Sequence, residues 1–195
     1  LHAWARNYQL KDGQGDRMTL LNNWENTYFK FDEKLLAELM KEAKHLGVDM
    51  FLLDDGWFGN KHPRNSDNAG LGDWEAMKSK LPGGIPALVK SAKEAGVKFG
   101  IWIEPEMVNK DSDLYRMHPD WVMNDPEYHC CHGRNQYVLD FSRKEVVDAI
   151  YEMLDRILEK ADVDYIKWDM NRTFSEVFSN GNDREYPVSY THLTL

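Results

Sequence analysis

Cysteine, cationic charge and long apolar runs are all scarce in this chain of 195 residues. Its two cysteines, Cys130 and Cys131, are adjacent. Neighbours in sequence rarely close a disulfide with each other, so both are read as free thiols of a reducing, cytoplasmic compartment. They sit in His129-Cys130-Cys131-His132. Four consecutive ligand types alternate outward along an extended chain, whereas a structural zinc site spaces its ligands so that four turn inward together. No metal is expected there. Lys and Arg number 24 against 33 Asp and Glu, a net charge of −9 with a pI near 5.2. A nucleic-acid surface needs clustered cations to displace counterions, which sets that partner class aside. No apolar run approaches the ~20 residues of a membrane-spanning helix, and the first residues do not read as a cleavable signal. Neither a membrane nor a nucleic acid is an expected partner.

What the chain does have is globular in character, with 42% hydrophobic and 29% charged residues. Aromatics reach 12%, including 7 Trp. An indole face suits the apolar face of a sugar, while the hydroxyl rim needs carboxylates and amides. On composition alone, however, core filling is the stronger account of the tryptophans.

Along the chain, residues up to Arg17 are polar and Gly-containing. Met18 to Trp24 reads as a short buried strand ending in polar residues. Asp32 caps a helix over Glu33–His45, whose apolar Leu35, Leu36, Leu39, Met40 and Ala43 recur at helical spacing and which Gly47 ends. Met50-Phe51-Leu52-Leu53 is a continuous apolar run that breaks into Asp54-Asp55-Gly56-Trp57. The unit repeats: a long polar loop, a helix from Ile85 to Ala95 stopped by Gly96, then the strand Lys98–Ile103 ending in Glu104-Pro105-Glu106. A second long loop ends in the short strand Tyr137–Leu139. Ser142 caps a helix over Lys144–Glu159 with Val146, Val147, Ile150, Leu154, Ile157 and Leu158 as its buried stripe, and the strand Asp164–Asp169 follows. Continuous apolar strands between amphipathic helices mean a parallel sheet covered by helices. Every main strand ends in polar or aromatic residues. A doubly wound sheet would concentrate such residues at one switch point, whereas a (β/α)8 barrel collects them around one rim. The expected class is α/β, the N-terminal half of a (β/α)8 TIM barrel, because four units are half of the eight that a barrel of ~250 residues needs.

Alternation along the last strand puts Tyr165, Lys167 and Asp169 on one face and Ile166 and Trp168 on the other. An ammonium beside a carboxylate keeps the carboxylate ionised, which suits a nucleophile and is wrong for a general acid. A strand-end salt bridge explains that pair equally well. Asp54 and Asp55 are more telling, since adjacent carboxylates repel and stability alone rarely places them at a strand end. They could share a divalent metal or accept hydrogen bonds from sugar hydroxyls, and Trp24, Trp57 and Trp102 nearby favour the sugar. Glu104 follows Trp102 on the same face, where it could simply hold loops in place.

The segments Leu20–Glu25, Leu53–Gly59, Leu71–Trp74, Trp102–Val108 and Tyr165–Arg172 together resemble glycoside hydrolase family 36, the bacterial α-galactosidases or melibiases. The resemblance runs from about Ala5 to Tyr186. It implies a catalytic (β/α)8 barrel, here partial over residues 1–187, without the family's two flanking β-domains. It also implies that Asp169 is the nucleophile of a retaining reaction through a covalent galactosyl-enzyme. By the same resemblance, Trp24 and Trp102 wall the sugar pocket, and Asp54, Asp55, Lys167, Arg134 and Asn171 contact substrate. No metal or organic cofactor is implied. The implied partners are galactoside oligosaccharides such as melibiose and raffinose, with a homo-oligomeric full-length enzyme.

A retaining glycosidase needs a second carboxyl group ~5–5.5 Å from the nucleophile, and in the family this aspartate lies on a later strand than this chain contains. Residues 188–195, Val188 to Leu195, have no counterpart in the family pattern and are expected to be a non-native tail. Two rivals stand beside hydrolysis. Raffinose and stachyose synthases share the barrel and site, although Lys167-Trp168-Asp169-Met170-Asn171-Arg172 favours the hydrolase, and an inactive galactose-binding fragment would bind without turnover.

Overall fold

Met50–Leu53 is apolar at every position, and in a computed structural model it lies inside a sheet with all four side chains buried. The structure describes residues 2–4, 7, 17–125, 127, 133–173, 175 and 178–181. In chain order the elements are α1 (His2–Trp4), β1 (Leu20–Asn22), α2 (Trp24–Thr27), α3 (Glu33–His45), β2 (Met50–Leu53) and α4 (Gly84–Ala95). There follow β3 (Lys98–Ile103), β4 (Met107–Asn109), α5 (Asp113–Met117), a 3-10 turn at Pro119–Trp121, β5 (Gln136–Val138), α6 (Lys144–Leu158) and β6 (Tyr165–Trp168). The main sheet has the order β1-β2-β3-β6 and is parallel throughout. Helices α3, α4 and α6 make the crossovers, as parallel neighbours require.

Local chemistry sets the helix limits. The Asp32 carboxylate accepts the Leu35 N–H at 2.8 Å, satisfying one of the free donors at the start of α3. At the far end of α4, Gly96 takes a left-handed φ of 80°, which lets the chain reverse into β3. The expected limits of α3 and β3 hold. Ser142 does not cap α6: its hydroxyl turns back to Asp140 Oδ1, and Arg143 occupies the cap position. Val147 and Leu158, expected in the buried stripe of α6, lie at its exposed margin, while Val146 and Ile150 are buried.

Side-chain alternation gives the sheet two different faces. Phe51, Leu53, Phe99, Ile101 and Ile103 pack with Leu36 and Met40 of α3 and Leu88 and Ala92 of α4. Each large apolar side chain buried there contributes roughly 1.5–3 kcal/mol. The opposite face carries Asn22, Leu52, Gly100, Trp102 and Lys167, aligned by the pairs Asn22↔Leu52, Leu52↔Gly100 and Trp102↔Lys167. A Cβ on Gly100 would lie 3.0 Å from Leu52 and 3.2 Å from Tyr165, so glycine lets these two side chains close over β3.

Between β3 and α6 the chain builds a small annexe. Strand β4 pairs antiparallel with β5, and Val108, Leu114, Trp121, Val122, Tyr137 and Leu139 pack with Val146 and Ile150 of α6. The strand expected at Tyr137–Leu139 forms one residue earlier, and its partner Met107–Asn109 has too short an apolar run to be seen in sequence.

Two strand expectations need correction. The segment Met18–Trp24 yields only the three-residue β1, and Leu20 is 42% exposed. Strand β6 keeps four of the six residues expected over Asp164–Asp169 and is open as well, with Tyr165 at 45% and Trp168 at 50%. The reason is shared: among the described residues β1 pairs only with β2, and β6 only with β3. The described residues form a four-stranded parallel sheet with two free edges. No helix among them is long and apolar enough to cross a membrane. His129-Cys130-Cys131-His132 and the segment from Pro187 lie outside the described residues.

Candidate active site

The C-terminal ends of the four parallel strands deliver Asn22, Asp54, Glu104 and Asp169 to one rim. The ladder runs on past β6, for Asp169 N–H donates to Ile103 O at 2.8 Å, so Asp169 is held at its backbone by the neighbouring strand. Its carboxylate is surrounded by donors. Trp102 Nε1 reaches Oδ2 at 2.8 Å, Asn171 Nδ2 reaches the same oxygen at 2.9 Å, and Met170 N reaches Oδ1 at 3.0 Å. Lys167 Nζ stands 4.0 Å from Oδ2. Partial burial works to raise the Asp169 pKa, but the hydrogen bonds from Trp102, Asn171 and Met170 and the charge of Lys167 outweigh it and hold the carboxyl below its ordinary value.

Lys167 is shared. Its ammonium donates to Asp54 Oδ2 at 3.0 Å, and Asn22 Nδ2 donates to the same oxygen. Asn22 in turn accepts the Trp24 N–H at 2.7 Å, fixing the start of α2 to the rim. Asp54, Lys167, Asp169, Trp102 and Asn171 therefore form one connected polar cluster, in which strand spacing had placed only Lys167 beside Asp169. Asn22 joins it without a sequence signal, since its part depends on β1 lying beside β2.

Asp55 faces elsewhere. Its carboxylate takes Arg64 Nε at 3.0 Å and Arg64 Nη2 at 2.8 Å, a bidentate pair in which Arg64 is 0% exposed. Burial raises the Asp55 pKa against the pull of that guanidinium. The adjacent carboxylates that looked unpartnered in sequence each have a cation, on opposite sides of the chain. Arg64 also binds Asp67 O and Ala69 O, so Asp55 anchors the loop that follows β2.

The tryptophans divide between core and site. Trp57, Trp74 and Trp102 pack together with Phe58, and Trp102 is 1% exposed. What Trp102 offers here is its indole N–H on Asp169, with its ring stacked on Phe58 and not open to a ligand. Trp24 is half-buried, with its ring edge-on to Tyr28 and Phe29, and its backbone N–H reaches the cluster through Asn22. Arg134 stands in a turn at φ 53° with Nη1 4.0 Å from Asp67.

One group among the described residues has metal-like spacing, His62, Asp73 and Asp113. Lys61 and His62 already bind Asp113, Arg116 lies on His62, and Asp73 accepts the Asp113 and Leu114 N–H groups that open α5. Cations and a helix start account for all three side chains.

The family model for melibiase matches residues 2–195. The chain belongs to the melibiase family. Alpha-galactosidase Mel36A of Lactobacillus acidophilus is 49% identical over 164 residues, which are 84% of this chain and 22% of that protein. The bifunctional alpha-galactosidase/sucrose kinase AgaSK of Mediterraneibacter gnavus is 47% identical over 170 residues, 87% of this chain and 18% of its own length. Among solved structures, a variant of the family 36 alpha-galactosidase AgaA from Geobacillus stearothermophilus in complex with raffinose superposes with a TM-score of 0.90 at 41% identity. That match covers 95% of this chain and 26% of AgaA. This melibiase chain thus spans about a fifth to a quarter of the relatives it matches. Its parallel sheet and rim are the part of the family fold described here.

Proposed function

We propose that this chain is the N-terminal half of the catalytic (β/α)8 barrel of a retaining α-galactosidase. The substrates are terminal α-D-galactosyl groups of melibiose- and raffinose-type oligosaccharides. The observation that carries this reading is the Asp169 carboxylate at a strand end, kept ionised by three hydrogen-bond donors and a lysine. Such a group attacks the anomeric carbon to form a covalent galactosyl-enzyme, which water then hydrolyses with retention. Asp54, held by Lys167 and Asn22, supplies a carboxylate and Lys167 an ammonium for the sugar hydroxyls. The likeness to enzymes named alpha-galactosidases, and to one solved with raffinose, supports this substrate class.

Retention needs a second carboxyl group that protonates the leaving oxygen. Glu104 does not fill that place: it is 0% exposed and takes the Asn171 N–H, so no leaving group reaches it. We assign the acid/base to a later strand of the complete protein. The test uses that complete protein with a slowly turned-over fluorinated α-galactosyl donor. Mass spectrometry should find the galactosyl label on the peptide that contains Asp169, and the first-formed product should be the α-anomer. A label on another carboxylate, or a first-formed β-anomer, overturns the reading.

A further inference from the structure

The nucleophile segment is held from two directions, and one holder is no part of the mechanism above. Glu104 lies one residue beyond β3 and is 0% exposed. Its Oε1 accepts the backbone N–H of Asn171. The side chain of that same Asn171 donates to Asp169 Oδ2 at 2.9 Å. Glu104 Oε2 lies 3.5 Å from Nε2 of Gln136, also 0% exposed, which stands on β5 in register with Asn109 of β4. A buried acid thus bridges three pieces of chain: the end of β3, the annexe hairpin and the turn after β6.

We propose that Glu104 is a positioning residue that sets Asp169 through Asn171, with Gln136 steadying it from the annexe. This rests on the reading of Asp169 as nucleophile. The geometry favours it over a plain loop tie, because Asn171 touches both partners. Its backbone is fixed by Glu104 while its amide reaches Asp169, so releasing the first bond frees the second donor to swing. Burial raises Glu104 to about 7; the Asn171 N–H and Arg64, from the loop after β2, oppose that shift, while Asp169 and Asp55 reinforce it. As pH rises through that value Glu104 ionises, and its bond from Asn171 becomes charge-assisted and stronger.

The experiment compares Glu104→Gln and Glu104→Leu in the complete protein, using an aryl α-galactoside and amide hydrogen exchange. Glu104→Gln keeps an oxygen acceptor for Asn171 and should retain kcat within about threefold. It should also lose an inflection near pH 7 through which wild-type kcat rises. Glu104→Leu leaves the Asn171 N–H without its carboxyl acceptor and should lose about ten- to hundredfold in kcat, with a smaller change in KM. Hydrogen exchange at the Asn171 amide should quicken in Glu104→Leu and not in Glu104→Gln. A folded Glu104→Leu with wild-type kcat and Asn171 protection overturns the proposal. So does a Glu104→Gln variant that keeps the wild-type inflection, which decides the matter even where Glu104→Leu does not fold. Should wild type hydrolyse no α-galactoside, the proposed function fails, while amide exchange still reads the Glu104 hold on Asn171.

Discussion

Asp169 and Asp54 are both rim carboxylates, yet each is held by different donors. Asp169 has three hydrogen bonds and a lysine at 4.0 Å. Replacing it by Asn keeps the shape and removes the proposed nucleophile, so kcat of the complete protein should fall by ~10⁴-fold or more with an unchanged melting temperature. Asp54 and Asp55 should separate under mutation, although both are expected to bind substrate. Asp54→Ala removes a partner of the partly exposed Lys167 and should cost activity about ten- to hundredfold with little loss of stability. Asp55→Ala strands Arg64, 0% exposed, as an unpaired buried cation, a change that costs about 3–5 kcal/mol. Urea melts of the two variants check this contrast. Glu104 adds a pH dependence. In the folded chain it keeps its proton up to about 7, whereas an unfolded glutamate releases it near 4.5. Unfolding therefore releases a proton between those values, and stability should fall as pH rises across the window. Melts of Glu104→Gln, which has no proton to release, should lack this contribution.

At the scale of elements, strand β3 organises the rim, because it pairs with β2 on one side and β6 on the other. Gly100 makes that double pairing close. Alanine there would push its Cβ to 3.0 Å from Leu52 and 3.2 Å from Tyr165, contacts tighter than ordinary packing. Gly100→Ala should cost about 1–3 kcal/mol and should spread β6 from β3, moving Lys167 and Asp169 relative to Trp102. A denaturant melt reads the stability and kcat of the complete protein reads the displacement. The elements legible from sequence were those with local causes: the Asp32 cap, the left-handed Gly96, and the unbroken apolar run of β2. Ser142 looked like a cap from its position alone, but Asp140 competed for its hydroxyl. Strand β4 escaped notice because three residues carry too little periodicity, and only β5 beside them makes a strand.

For the whole molecule, the decisive feature is the pair of free edges. Leu20, Tyr165, Ile166 and Trp168 are each more than a third exposed, and the outer backbone groups of β1 and β6 face no strand among the described residues. Unpaired parallel edges with apolar side chains template association with other chains. The chain of 195 residues by itself is expected to self-associate and to show no turnover of an aryl α-galactoside. Size exclusion and the same assay decide it. A cooperatively melting monomer that hydrolyses melibiose would overturn both the partial-barrel reading and the assignment of the acid/base to a later strand.

Sequence by itself determined the alternation of strands and helices, the parallel character of the sheet, and the placing of Asp54, Lys167 and Asp169 at strand ends. These follow from periodicities of two and 3.6 residues and from local caps, all carried by neighbours in the chain. Tertiary structure alone decided which carboxylate meets which cation. Asp54 found Lys167 across 113 residues, Asp55 turned to Arg64, and Glu104 reached Asn171 across 67. No spacing rule reports such pairs, because strand order and register bring them together and burial then penalises any charge left without a partner.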